Sequence, residues 1–119
     1  MSTLNNGQTL AQGGTLKSGN GAYTLVLQGD GNLVLYHSLH MVSGNAIWNS
    51  GTCGKGNPPF RLVMQSDNNL VLYDGIGTPT WSSGSNGKGD RQHARLVVQD
   101  DRNLVVYGPG ALWATMTNC

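Results

Sequence analysis

Three stretches of the chain alternate in the same way: a polar row, Gln-x-Asp-x-Asn-x-Val-x-Tyr, interleaved after the Asn with leucine or valine. They read QGDGNLVLY from Gln28, QSDNNLVLY from Gln65 and QDDRNLVVY from Gln99. Period-two alternation marks a half-buried strand. It sets Asn32, Val34 and Tyr36 on one face and Leu33 and Leu35 on the other, so the leucines are predicted to take the core. An apolar run ending in Gln precedes each row: AYTLVLQ, RLVMQ and ARLVVQ. Asp-Gly at 30 and 31, Asp-Asn at 67 and 68, and Asp-Arg at 101 and 102 lie between run and row, which predicts three hairpins.

Successive Gln residues lie 37 and 34 positions apart, and Trp48, Trp81 and Trp113 follow the three rows. A period of this size marks supersecondary units that bury their apolar faces only against one another. Further short strands are expected in GTLKSG near Leu16 and in AIWNSG, PTWSSG and ALWATM around the tryptophans. That gives about four strands per unit and about twelve in all, with no helix. The insertion HSLHMVSGNA in the first unit is longer than the seven and five residues that separate Tyr from Trp in the second and third. The first rim is therefore expected to differ most.

At 119 residues the chain fits one domain, 1–119, built from the three repeats and able to bury a modest core without disulfides. A net charge of +1 with 11% charged residues gives no basic field for phosphate backbones, so nucleic acid is excluded as a partner. Glutamate is absent and Gly reaches 18 residues, which favours turns between short strands over helices. No apolar stretch approaches the roughly 20 residues of a bilayer span, so membrane insertion is not expected. The N-terminus lacks the basic start and apolar run of a secretion signal, and localisation stays open.

The outward row is chemically specific. Gln and Asn each offer donors and an acceptor, Asp accepts only, and Tyr adds a phenolic hydroxyl. Val between them suits the C–H face of a sugar ring. A neutral polyol with an apolar patch matches this set, whereas a phosphate would meet a carboxylate and no cation. The competing reading gives Asp and Asn to Asx-type turn bonds. Turn chemistry alone does not explain why Gln, Val and Tyr recur while Gly31, Asn68 and Arg102 differ.

His37 and His40 form a pair with no third ligand nearby, so no metal site and no cofactor are expected. No nucleophile with a base and no close carboxylate pair stands in a recognisable context, so catalytic residues are not expected and the chain does not read as an enzyme. The tryptophans could stack on sugars, but one per unit within short apolar strands reads as core.

The Gln-x-Asp-x-Asn-x-Val-x-Tyr pattern, three times over and each time followed by Trp, resembles the monocot mannose-binding lectins, also called bulb-type or snowdrop-type lectins. The resemblance covers nearly the whole chain. It implies an all-β, β-prism II fold of three four-stranded antiparallel sheets with pseudo-threefold symmetry, and mannose binding without a metal ion. Carried over, Asp30 and Asn32 would hold the axial 2-hydroxyl, Gln28 the 3-hydroxyl, Tyr36 the 4-hydroxyl and Val34 the ring carbons. Gln65, Asp67, Asn69, Val71 and Tyr73 would form the second set, and Gln99, Asp101, Asn103, Val105 and Tyr107 the third. No set carries a substitution in the motif, which predicts three competent sites with mannose preferred over glucose.

The chain departs from the family at its cysteines. The usual bridge joins the first motif to a position ahead of the second, and those places hold Gly31 and, approximately, Phe60. Cys53 and Cys119 are left to pair within the chain, to pair between chains, or to stay free. The ending ALWATMTNC resembles the strand that family members exchange, which implies a homodimer.

The expected function is a non-catalytic lectin for terminal α-mannose on glycans and glycoproteins, with multivalent cross-linking, agglutination and a role in defence. The alternative is a protein-interaction scaffold whose sugar sites are idle. If the motif asparagines face solvent, replacing Asn32, Asn69 and Asn103 by alanine should remove sugar retention and leave stability broadly intact.

Overall fold

Leucine at alternate strand positions, between turns rich in Gly, Asn and Asp, is compatible only with short strands that pool one apolar face. A computed structural model describes residues 2–38, 46–86, 94–108 and 110–115. Among them run twelve strands: β1 (Thr3–Leu4), β2 (Thr9–Ala11), β3 (Thr15–Lys17), β4 (Tyr23–Leu27), β5 (Leu33–His37), β6 (Ala46–Asn49), β7 (Arg61–Met64), β8 (Leu70–Tyr73), β9 (Pro79–Ser82), β10 (Arg95–Val98), β11 (Leu104–Tyr107) and β12 (Ala111–Ala114). They form three four-stranded antiparallel sheets, ordered β3-β4-β5-β6, β2-β7-β8-β9 and β1-β10-β11-β12. This is the β-prism II architecture.

Each predicted hairpin is the central pair of one sheet. The fourth strands depart from the expectation of contiguous units. The N-terminal segment visits the third sheet with β1, the second with β2 and the first with β3. Its signature is a Thr-Leu pair every six residues, Thr3-Leu4, Thr9-Leu10 and Thr15-Leu16. Strands of two or three residues cannot stand alone, but each covers an open sheet edge and drops one leucine into the common core.

The inward leucines behave as predicted: Leu25, Leu27, Leu33 and Leu35 are fully buried, as are Leu62, Leu70, Leu72, Leu96 and Leu104. Trp48, Trp81 and Trp113 each sit on the last strand of a sheet and meet edge to face, with ring centroids 5.3 to 5.6 Å apart. They pack on the core, one from each sheet, about the pseudo-threefold axis. A register shift precedes each motif tyrosine, between Leu35 and Tyr36, Leu72 and Tyr73, and Val106 and Tyr107. β12 pairs with β11 and gives the third sheet its fourth strand. Cys119, His40 and most of the HSLHMVSGNA insertion lie outside the described residues.

Candidate functional site

The three motif turns share one backbone. Gln28 N–H donates to Asn32 O at 3.0 Å and Gly31 N–H to Gln28 O at 3.1 Å; Gln65 and Asn69, then Gln99 and Asn103, repeat the first bond at 2.9 Å. The fourth motif position is left-handed in every copy, with φ of +88° at Gly31, +70° at Asn68 and +76° at Arg102. The motif aspartate caps the turn, accepting the N–H of Asn32, Asn69 or Asn103 on Oδ1 at 3.0 Å. The Asx-turn reading is thus correct for this oxygen.

Gln and Tyr of each motif meet side chain to side chain: Gln28 with Tyr36, Gln65 with Tyr73, Gln99 with Tyr107. At Gln28 the other end of the amide is 3.2 and 3.3 Å from the two Asp30 oxygens. Every group is satisfied when Nε2 donates to the carboxylate and Oε1 accepts from the phenol, so that orientation is the physical one. The result in the first sheet is a chain of polar groups from Tyr through Gln to Asp along one face.

Two expectations need correction. Val34, Val71 and Val105 are only 3, 4 and 2% exposed. They lie directly opposite Val26, Val63 and Val97, and cross-strand neighbours at this spacing cover one another. The motif valines are buried, and it is Val97, opposite Val105, that lines the cleft beside the third motif. The asparagines do not simply face solvent either: Asn32 Oδ1 accepts from Ser50 Oγ at 3.0 Å and Thr52 N–H at 3.3 Å, and Asn69 Oδ1 from Ser83 Oγ and Ser85 N–H, both at 3.2 Å. Thr115 Oγ1 donates to Asn103 Oδ1 at 2.8 Å.

The structure brings each motif's five side chains to one face of one sheet. At the third motif Gln99, Asp101 and Tyr107 border an open groove of about 570 Å3, lined also by Ser2, Gly19, Val97, Val98 and Asp100. The three sets stand on different sheets, so no two share a residue. Sequence reasoning missed the contribution of the incoming strands, Val26, Val63 and Val97. Pairing outward from the Gln–Asn turn in steps of two would have found them.

The first site has a feature of its own. Cys53 is exposed and unbridged, and its thiol donates to Asp30 Oδ2 at 3.4 Å. This bond, then the charge of Asp30, raises the Cys53 pKa above its ordinary value. His37 ends β5 with its ring 5.5 Å from that of Tyr23. Among the described residues no three His, Cys, Asp or Glu side chains gather as they would around a metal ion.

No protein-family model and no curated protein matches the chain. Solved structures do. A monomeric monocot mannose-binding lectin from Gastrodia elata is 40% identical, with all of both chains covered and a TM-score of 0.83. The Polygonatum cyrtonema lectin, solved with a monomannoside, is 40% identical over 99% of this chain and 98% of its own, with a TM-score of 0.78. The mannose-specific agglutinin of snowdrop, Galanthus nivalis, solved with methyl-α-D-mannoside, is 34% identical over 100% and 99%, with a TM-score of 0.79.

Proposed function

The chain belongs to the monocot mannose-binding lectins, a family of non-catalytic carbohydrate-binding proteins, and we propose that it holds terminal α-mannose in three separate grooves. The observation that carries this reading is the Gln–Tyr pairing beside an Asp-capped turn and a buried valine, present in all three sheets. In each groove Asp Oδ2 and the asparagine amide take the axial 2-hydroxyl, Gln the 3-hydroxyl and Tyr the 4-hydroxyl. The ring's C–H face rests on Val34, Val71 or Val105. An equatorial 2-hydroxyl would leave the Asp and Asn groups unmatched, which favours mannose over glucose.

A millimolar site is worth only about 4 kcal/mol, so useful binding comes from several sites on one glycan surface. Three grooves on three sheets let a single chain bridge glycans, which supports agglutination of mannose-bearing cells and, by analogy, defence against microbes. β12 already completes its own sheet, which supports trivalent action by one chain. Exchange of that strand into a homodimer would double the valency, and sedimentation velocity distinguishes the two assemblies.

Retention on mannose-agarose, elution by methyl α-mannoside and not galactose, and a stoichiometry of three per chain in titration calorimetry test the proposal. Passage straight through the column would favour the alternative, a prism kept as a protein-interaction scaffold.

A further inference from the structure

The segment that joins the first sheet to the second is fastened at both ends. At one end it holds the first motif: Thr52 Oγ1 donates to Gly31 O at 2.7 Å, Thr52 N–H to Asn32 Oδ1 at 3.3 Å and Gly54 N–H to Asp30 O at 2.7 Å. At the other end it meets Asp74, whose Oδ2 accepts the Asn57 N–H at 3.3 Å, while Gly75 N–H donates to Asn57 O at 2.6 Å. Only Lys55 and Gly56 separate the two anchors, and Gly54 and Gly56 are both left-handed, with φ of +77° and +76°. A β-carbon at Gly56 would lie 2.6 Å from Asp74 Cβ, so this strap runs close against that side chain.

By its place in the chain Asp74 belongs with the second groove, because it follows Tyr73. Its carboxylate is turned to other partners. It accepts from Thr78 and Ile76 of its own turn on Oδ1 and from Asn57 on Oδ2, whereas Arg61, beside Tyr73, donates from Nη1 to the Asp74 backbone O. The residues that follow Tyr36 and Tyr107 are His37 and Gly108, so a carboxylate stands at this position only in the second sheet.

Resting on the mannose reading above, we propose that Asp74 is a positioning residue for the first groove, which lies on the neighbouring sheet. Its carboxylate holds the strap at Asn57, and the strap holds Asp30 and Asn32 where the sugar's 2-hydroxyl needs them. A site whose polar groups are fixed before the ligand arrives loses less freedom on binding. Released at Asn57, a strap with glycine at 54 and 56 would gain a wide range of conformations, and the Thr52 and Gly54 N–H groups would no longer be aimed at the motif. The second and third motifs take their supports from other segments, Ser83 and Ser85 on Asn69 and Thr115 on Asn103.

Asp74→Asn isolates the effect. The amide oxygen still accepts from Thr78 and Ile76, but the NH2 then faces the Asn57 N–H, donor against donor, and that anchor opens. The test is an amide NMR titration of the full chain with methyl α-mannoside, a neutral ligand that does not feel the lost charge. The backbone N–H signals of Asn32, Asn69 and Asn103 report the three grooves one by one. In Asp74→Asn the dissociation constant read at Asn32 should rise about three- to tenfold, the worth of roughly one hydrogen bond, while those at Asn69 and Asn103 stay within about twofold. Gly56→Ala, which wedges the strap away from Asp74, should give the same one-groove loss and is the second route if Asp74→Asn does not fold. A value at Asn32 that does not move, a larger loss at Asn69, or an equal loss at all three, as general loosening of the fold would give, overturns the inference alone. Failure of the unaltered chain to bind methyl α-mannoside overturns the mannose reading and this inference with it.

Discussion

Ser50 Oγ donates to Asn32 Oδ1 at 3.0 Å, and Ser83 with Asn69 and Thr115 with Asn103 repeat the pair at 3.2 and 2.8 Å. The motif asparagine therefore divides its amide. The oxygen fastens the segment after the tryptophan strand to the hairpin, and at Asn32 and Asn69 the nitrogen is the group left for a ligand. Alanine removes both roles, and stranded hydroxyl and N–H partners cost about 1–2 kcal/mol per position. Asn32→Ala, Asn69→Ala and Asn103→Ala together should thus lower the urea midpoint markedly. The matching Asn→Asp triple variant keeps the acceptor oxygen, so it should melt close to the parent and yet pass through mannose-agarose. Retention of the Asp variant on the column would remove the amide nitrogen from sugar binding.

Gly31 carries the left-handed turn of the first motif against the ring of Phe60. A β-carbon at Gly31 would lie 2.8 Å from Phe60 Cζ and 3.2 Å from Lys55 O, at a φ of +88°. Both sterics and backbone oppose a side chain there, so Gly31→Ala should destabilise the fold by more than about 1 kcal/mol. Gly29→Ala is the control, since its β-carbon would meet only Gln12 Nε2 at an ordinary 3.5 Å. Equal denaturation midpoints for the two variants would contradict this account.

The same turn position shows where sequence reading reached and where it stopped. Alternation exposed the leucine core and the three hairpins, because a strand's inward face is written at every second residue. It left the variation among Gly31, Asn68 and Arg102 unexplained, because that position is selected by a neighbouring sheet. Gly31 packs under Phe60, while Asn68 Oδ1 accepts the Ala94 N–H at 3.2 Å and an Asn6 Nδ2 hydrogen at 3.3 Å. The strands β1 and β2 escaped for a related reason: two or three residues are too few for alternation, and only their six-residue spacing from Thr15-Leu16, where the sequence itself predicts a strand, betrays Thr3-Leu4 and Thr9-Leu10. The five motif residues were legible as a set, but the Ser50, Ser83 and Thr115 supports were not, since they reach Asn32, Asn69 and Asn103 from another strand.

Cys53 offers a reporter on the first site. Its thiol donates to Asp30 Oδ2, which raises its pKa, so less thiolate is present at a given pH and iodoacetamide should react more slowly than with an ordinary exposed thiol. Asp30→Ala removes both the acceptor and the charge and should shift the alkylation profile to lower pH. In the proposed complex the sugar lies on Asp30, so saturating methyl α-mannoside should protect Cys53, followed by peptide mapping to separate it from Cys119. An alkylation rate indifferent to both Asp30→Ala and the sugar would detach this thiol from the site.

Asp74 sets the acid limit of the second sheet. Its carboxylate is buried, accepting the N–H of Thr78 at 2.8 Å and Ile76 at 3.2 Å on Oδ1, and that of Asn57 at 3.3 Å on Oδ2. These bonds, the one from Thr78 foremost, hold its pKa below the ordinary carboxylate value although burial pushes the other way. With the folded value depressed, the unfolded chain binds the proton more readily. The stabilisation is therefore complete above about pH 5, and is lost as pH falls through the unfolded value near 4 toward the folded one. Asp74→Asn should be less stable than the parent at pH 7, and the gap should narrow by pH 3. Urea denaturation at both pH values measures it, and a gap that stays constant would mean that Asp74 keeps its proton balance on unfolding, against the geometry of its three N–H donors.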